Sequence, residues 1–116
     1  MTIIRREFEP ILANVVEVAP FVFTAGAIAD DLSLDVEGQT RQALGDLDKF
    51  LKLCGSDKSR ILTAVIWVAD IRHRDAINKA WIAWADEKNL PARACVEGKM
   101  ADAECLVEIQ IIAAKG

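Results

Sequence analysis

The segment Arg60–Ala69 constrains the fold more than any other, because its apolar residues would lie on both faces of a strand. Side chains alternate between the two faces of a β-strand, so Val65 and Trp67 point to one side and Ile66 and Val68 to the other. A strand of this kind belongs in a sheet that is covered on both faces. The rest of the chain, or another copy of it, must supply those two covering layers.

Two segments predict amphipathic helices that could form one such layer. The first begins after Asp35, a residue suited to capping a helix N-terminus, and runs to about Cys54 before Gly55, which is typical just beyond a helix end. The second begins after Asp70 and extends to about Glu87. In both, apolar residues recur with the helical period of about 3.6 residues. Each helix therefore has one face that packs and one that contacts water.

The other apolar segments predict strands at 2–8, 14–18, 21–28 and 91–97, and a last strand that begins at Val107. The element order is then β-β-β-α-β-α-β-β, which predicts an α+β domain with a small mixed sheet and two helices packed on one face. The second face would leave more bare apolar surface than the roughly few hundred Å² that a monomer tolerates. The sequence therefore predicts self-association through the uncovered face.

Length and composition exclude several classes of protein. The 116 residues, of which 53% are hydrophobic, predict one folded domain spanning 1–116. A net charge of −4 without a basic stripe argues against nucleic acid as a partner. No apolar run reaches the roughly 18 residues needed to cross a membrane. With one histidine and three cysteines that lack CxxC spacing, we expect no metal site, and we expect a soluble cytoplasmic protein with free thiols.

Two charged residues interrupt apolar strands. Arg93 lies in the strand at 91–97, where it shares a face with Cys95, and Glu108 lies in the last strand. We predict that these two strands pair with each other. Two interpretations are then open: a structural ion pair that holds the strands together, or a site that binds an anion beside a carboxylate. Gly26, near the end of the strand at 21–28, is either a bulge or a point where a ligand approaches the backbone.

These segments resemble the RidA/YjgF family. Pro91-Ala-Arg-Ala-Cys-Val, followed by Val107-Glu-Ile-Gln-Ile-Ile-Ala-Ala, is similar to the closing signature of that family. Further similarity lies in Thr24-Ala-Gly26, in Gly55 with Lys58-Ser-Arg-Ile-Leu, and in Asn78-Lys-Ala-Trp81. The last two features look closest to a YoaB-like branch. The resemblance covers nearly the whole chain from about Asn14.

The resemblance implies a chorismate-mutase-like α+β fold and a homotrimer, in which three sheets form an inner barrel with clefts between subunits. It also implies an enamine/imine deaminase of the 2-iminobutanoate/2-iminopropanoate type, which hydrolyses reactive 2-imino acids to 2-keto acids and ammonia without a metal or organic cofactor. Arg93 would bind the substrate carboxylate, and Glu108 would position or activate water. Gly26, Asn78 and Cys95 match pocket positions of the family.

One departure from the family concerns the N-terminal segment. Many members place a tyrosine at the pocket there, whereas this chain has no tyrosine and offers Ile11 or Leu12 instead. A second function is therefore open: a non-enzymatic trimer that binds small carboxylates in the same cleft, as a metabolite sensor or partner-binding module. In either case the expected partners are a small imino or keto acid and further copies of the chain, not nucleic acid or membrane.

Overall fold

One six-stranded sheet carries two helices on a single face in the computed structural model, which describes residues 1–116. The sheet has the strand order β1-β2-β3-β6-β4-β5, and every neighbouring pair is antiparallel except β4 and β5. The predicted α+β class and element order are confirmed. The elements are β1 (Ile3–Glu9), β2 (Leu12–Val18), β3 (Phe21–Thr24), α1 (Val36–Leu53), β4 (Ile61–Val68), α2 (Arg74–Trp84), β5 (Ala92–Glu97) and β6 (Val107–Ala114).

Helix α1 begins and ends where its capping residues predict. The Asp35 side chain accepts a hydrogen bond from the backbone N–H of Gly38 at 2.8 Å, which satisfies a donor of the first turn. At the other end Gly55 takes a positive φ of 66°, a conformation that residues with side chains rarely adopt. Leu47 and Leu51 are completely buried between α1 and the sheet.

Helix α2 is shorter than the sequence predicts. Asp70 caps a 3-10 turn at Ile71–His73, not the helix itself, because its carboxylate accepts from the backbone N–H of Arg72 at 3.0 Å. The helix starts at Arg74 and ends at Trp84 instead of about Glu87. There the Asp86 carboxylate accepts from the backbone N–H of Lys88 at 3.0 Å. Such local side-chain bonds compete with helical hydrogen bonds, which is why both ends differ from the prediction.

Strand β3 also ends early, at Thr24 instead of Ile28. The Thr24 hydroxyl takes the place of a backbone partner, since Oγ1 accepts from the backbone N–H of Ile111 at 3.1 Å. Beyond it, Ala27 pairs with Ile109 as an isolated bridge through two hydrogen bonds of 2.7 and 3.0 Å. The segment from Ala25 onward therefore follows β6 without continuing the regular strand.

The two faces of the sheet have different surroundings. On the helix face the side chains of Val22, Ile66 and Ile109 are completely buried in the core. The other face, called here the open face, carries Phe21 at 41% exposure and Phe23 at 39% exposure. The predicted arrangement, with helices on one face and an uncovered apolar face on the other, is confirmed. The open face also carries Val16, Val18, Val65, Trp67, Val96 and Ile112.

A cluster of charged side chains around the buried Glu17 lies at one end of the helix face. Glu17, on β2, is 3% exposed and accepts hydrogen bonds from Arg6 Nε at 3.2 Å and Lys115 Nζ at 2.9 Å. Hydrogen bonds from the Cys54 thiol, from Lys115 and from Arg6 hold the pKa of Glu17 at about 2. Burial, followed by the neighbouring Glu17, raises the pKa of the Cys54 thiol to about 11. The cluster links β1 and β2 to the segment that follows β6.

We expect Glu17→Gln to lower the free energy of unfolding by about 1–3 kcal/mol at neutral pH, because a buried charge-assisted network loses its carboxylate. The pKa of Glu17 is lowered to about 2 in the folded chain, so its contribution is present above the unfolded pKa of about 4.5 and is lost as pH falls towards 2. Urea denaturation at matched protein concentration, at about pH 7 and about pH 3, measures both effects. A wild-type to variant difference that stays constant over this range would contradict the assignment.

Candidate functional site

Arg93 is oriented by two residues of α2. It lies on β5, the edge strand of the sheet, and one terminal guanidinium nitrogen donates to Asn78 Oδ1 at 2.6 Å. The guanidinium carbon lies 5.2 Å from the centroid of a ring of Trp81, a cation–π contact. Asn78 and Trp81 are three residues apart and so share one side of the helix. Because a guanidinium has five N–H donors, most remain available for a ligand.

Cys95 lies two residues further along β5, on the same face as Arg93. It pairs in register with Ile66 and packs, partly buried, against the hydrophobic core. Arg93 pairs in the same way with Ala64. Asn78, Arg93 and Cys95, three of the candidate site residues, are therefore on the helix side of the sheet.

Glu108 and Gly26 form a second group. The bridge between Ala27 and Ile109 brings Gly26 beside Glu108, so that the Glu108 carboxylate fills the space a β-carbon at position 26 would occupy. Gly26 is thus a point of close approach, but the group that approaches its backbone is the side chain of Glu108 and not a ligand. No lysine or arginine forms an ion pair with Glu108 within this chain. Glu108 is half-buried, so part of the residue remains in contact with solvent.

The prediction that the strands of Arg93 and Glu108 pair is wrong. Strand β4 lies between them, parallel to β5 and antiparallel to β6. Arg93 is in register with Ala64, which faces the helices, whereas Glu108 is in register with Trp67 on the open face. The two charged groups therefore project from opposite faces of the sheet. A structural ion pair between them within one chain is excluded.

The order of elements along the sequence indicates that β4 lies between β5 and β6. Strand β4, helix α2 and strand β5 form a β-α-β unit, and such units place their two strands parallel and usually adjacent. In this chain the rule places β5 beside β4, so that β6 pairs with the other edge of β4. The register between strands, which decides the face of each charge, follows from backbone pairing that no local pattern displays.

Sequence reasoning missed a cavity beside Glu108. It has a volume of about 330 Å³ and is lined by Glu108, Trp67, Lys99, Met100 and Ala101. Its lining comes from β4, β6 and the β5–β6 loop, which are far apart in sequence. No group of three or more His, Cys, Asp or Glu side chains lies close enough to hold a metal ion. Neither helix is both long and apolar enough to cross a lipid bilayer.

The close packing of Gly26 on Glu108 is testable by a double-mutant cycle. We expect Gly26→Ala to lower the free energy of unfolding because the added methyl group displaces the carboxylate and the side-chain carbons behind it. In a Glu108→Ala background the obstructing atoms are gone, so the same substitution should have little effect. The two sites should couple by about 1 kcal/mol or more. Chemical denaturation of the wild type, both single variants and the double variant measures this coupling, and additive effects would contradict the contact.

Comparisons with known proteins identify the family of this chain. The family model described as Endoribonuclease L-PSP matches residues 9–115. The RutC family protein YoaB of Escherichia coli is 36% identical over 114 residues, which cover 98% of this chain and 99% of YoaB. A RutC family protein of Haemophilus influenzae is 49% identical over 75 residues, 65% of each chain.

Solved structures show the same fold. A member of the YjgF protein family from Neisseria meningitidis superposes with a TM-score of 0.95 at 34% identity, over 100% of this chain and 97% of that one. A Salmonella typhimurium structure titled a putative translation initiation inhibitor superposes with a TM-score of 0.89 at 34% identity, over 97% of each chain. The chain therefore belongs to the RidA/YjgF family, and within it resembles the RutC family protein YoaB.

Proposed function

We propose that this protein is an enamine/imine deaminase that hydrolyses 2-imino acids to 2-keto acids and ammonia. The observation that carries the proposal is the Arg93 guanidinium, which is held by Asn78 and Trp81 while most of its donors remain free. Family membership and the unpaired carboxylate of Glu108 support the same function. Each of the two groups has a defined task in this reaction.

Arg93 is suited to the substrate carboxylate. A guanidinium donates two parallel charge-assisted hydrogen bonds to a planar carboxylate, which fixes both its position and its plane. The adjacent C=N carbon of a 2-imino acid is then fixed as well, since it is bonded directly to the carboxylate. Asn78 limits rotation of the guanidinium, so that the substrate is oriented before the chemical step.

Glu108 is suited to activating a water molecule. As a water molecule attacks the imine carbon, the carboxylate accepts one of its protons, and a C–O bond forms while the C=N π bond becomes a nitrogen lone pair. The proton then passes to that nitrogen, which gives a carbinolamine. The carboxylate next transfers the hydroxyl proton to the same nitrogen, and the C–N bond breaks as the C=O bond forms, so that the 2-keto acid and ammonia are released. Imines hydrolyse in water without a catalyst, so a modest acceleration suffices. A hundredfold acceleration requires the activation free energy to fall by about 2.7 kcal/mol.

The opposite orientation of Arg93 and Glu108 requires more than one copy of the chain. One protomer cannot place both groups around a single substrate, because the sheet lies between them. We propose a homotrimer in which Arg93 of one protomer and Glu108 of the next form each cleft. The apolar open face supports the assembly, since side chains such as Phe21, Phe23 and Val65 would be buried between the subunits.

A charged substitution on the open face tests the proposed trimer. We expect Val65→Asp to dissociate the trimer, because Val65 lies on the open face of β4, an inner strand of the sheet, and a buried unpaired carboxylate is costly. Size-exclusion chromatography with light scattering gives the mass. Ile82→Asp is the matched control, since Ile82 is 76% exposed on α2 and should leave the mass unchanged. A wild type that is monomeric at micromolar concentration would contradict the proposal.

Substitution of Arg93 tests the reaction. We expect Arg93→Ala to lower the rate of imine hydrolysis by about a hundredfold or more and Arg93→Lys by less, because lysine retains the charge but not the paired donors. An amino-acid oxidase can generate the imino acid in situ, and release of keto acid is then followed at matched trimer concentration. An inactive wild type, or a fully active Arg93→Ala variant, would refute the proposal.

A second candidate function is binding without catalysis. The absence of tyrosine from the chain, with Ile11 and Leu12 in the segment concerned, favours a carboxylate-binding sensor or partner-binding module. Such a protein would gain thermal stability from 2-keto acids without accelerating imine hydrolysis. The oxidase assay separates the two functions.

The description Endoribonuclease L-PSP, carried by the family model, suggests RNA as a substrate. Affinity for RNA rests largely on lysine and arginine contacts to phosphates. This chain has a net charge of −4, and Arg6, Arg41 and Arg72 are already paired with carboxylates. The charge distribution therefore favours a small-molecule substrate.

A further inference from the structure

We propose that the cavity beside Glu108 receives the side chain of the substrate and selects 2-imino acids with large apolar side chains. This inference rests on the proposed deaminase and adds its substrate class. The residues that would make the selection are Trp67 and Met100, to which neither the family resemblance nor the sequence analysis assigned a role.

The cavity adjoins the group that would activate water. Trp67 on β4 is directly opposite Glu108 on β6 in the antiparallel register, so both side chains project from the open face as neighbours. Met100, Lys99 and Ala101 of the β5–β6 loop line one side of the cavity, which is open to solvent. That loop lies against the indole, since a β-carbon added at Gly98 would be 3.6 Å from Trp67 Cδ1. A substrate whose reacting carbon is beside Glu108 would therefore direct its side chain towards these walls.

Two side chains of the lining, Trp67 and Met100, favour an apolar substrate side chain. The indole of Trp67 offers a flat apolar surface, and the unbranched Met100 adapts to the shape of what it contacts. A volume of about 330 Å³ leaves room for a leucine-sized or phenylalanine-sized group beside the reacting centre. Small side chains would leave the apolar walls in contact with water and would gain little from them.

The charges of the cavity disfavour an acidic side chain. A second carboxylate on the substrate would lie close to the carboxylate of Glu108, and the two would repel each other. Lys99 is the one cation in the lining. Its side chain is exposed, and exposed pairs contribute little free energy. We therefore expect imines derived from glutamate or aspartate to be poor substrates.

The experiment compares imino acids generated from leucine, phenylalanine, alanine and glutamate. Wild-type protein should accelerate release of the two large apolar keto acids at least about tenfold more than the other two. Met100→Ala and Trp67→Leu should reduce that preference, because they slow turnover of the two large apolar imines more than turnover of the other two. Leu53→Ala, a truncation of an exposed side chain on α1, is the matched control and should keep the wild-type preference. Because Trp67 lies on the open face, each variant is first checked for its oligomeric mass.

A binding measurement separates this inference from the proposed function. The melting temperature is recorded with 4-methyl-2-oxopentanoate and with pyruvate, which carry the same keto-acid group but different side chains. A larger stabilisation by the bulkier acid, lost in Met100→Ala, supports the cavity even if no imine is hydrolysed. Equal stabilisation by both acids overturns it. Turnover that is fastest with alanine-derived or glutamate-derived imine, or a Met100→Ala variant that loses activity equally on all four substrates, also overturns it and leaves the deaminase standing.

Discussion

The structure depends on the burial of a sheet that is apolar on both faces. Helices α1 and α2 cover one face, where Ile66 and Ile109 are completely buried, and the second face is left uncovered within the chain. The same division determines where the functional groups lie. Arg93 is on the helix side because α2 supplies Asn78 and Trp81 to orient it. Glu108 is on the open side, where Gly26 makes room for its carboxylate.

Arg93 and Glu108 are held in position by different kinds of contact. The position of Arg93 depends on side chains, a hydrogen bond of 2.6 Å to Asn78 and a cation–π contact with Trp81. The position of Glu108 depends on the backbone, since the bridge between Ala27 and Ile109 brings a glycine against it. A substitution near Arg93 would change the orientation of a flexible side chain. A substitution at Gly26 would act on the carboxylate directly, because the added β-carbon would meet side-chain atoms of Glu108 and displace them.

Local patterns in the sequence were sufficient to predict the elements and their order. Asp35 and Gly55 mark the ends of α1 because capping is a local interaction. The same reasoning failed at Asp70, where a 3-10 turn competes with the helix for the cap. The charged residues of the site were also visible, since Arg93 and Glu108 interrupt apolar strands. The separation of Arg93 from Glu108 by β4 was not visible in the sequence, because the pairing order of strands depends on contacts distant in sequence. For the same reason the cavity formed by Trp67, Met100 and Glu108 could not be found from the sequence.

The placement of Arg93 and Glu108 on opposite faces has a genetic consequence. In the proposed trimer a cleft takes its arginine from one protomer and its glutamate from the next, so two damaged chains can restore each other. Around a closed ring that mixes Arg93→Ala with Glu108→Gln protomers, some junction must join an intact arginine to an intact glutamate. Two alleles that are each inactive alone would thus complement when expressed together, whereas the same two substitutions combined in one allele would not.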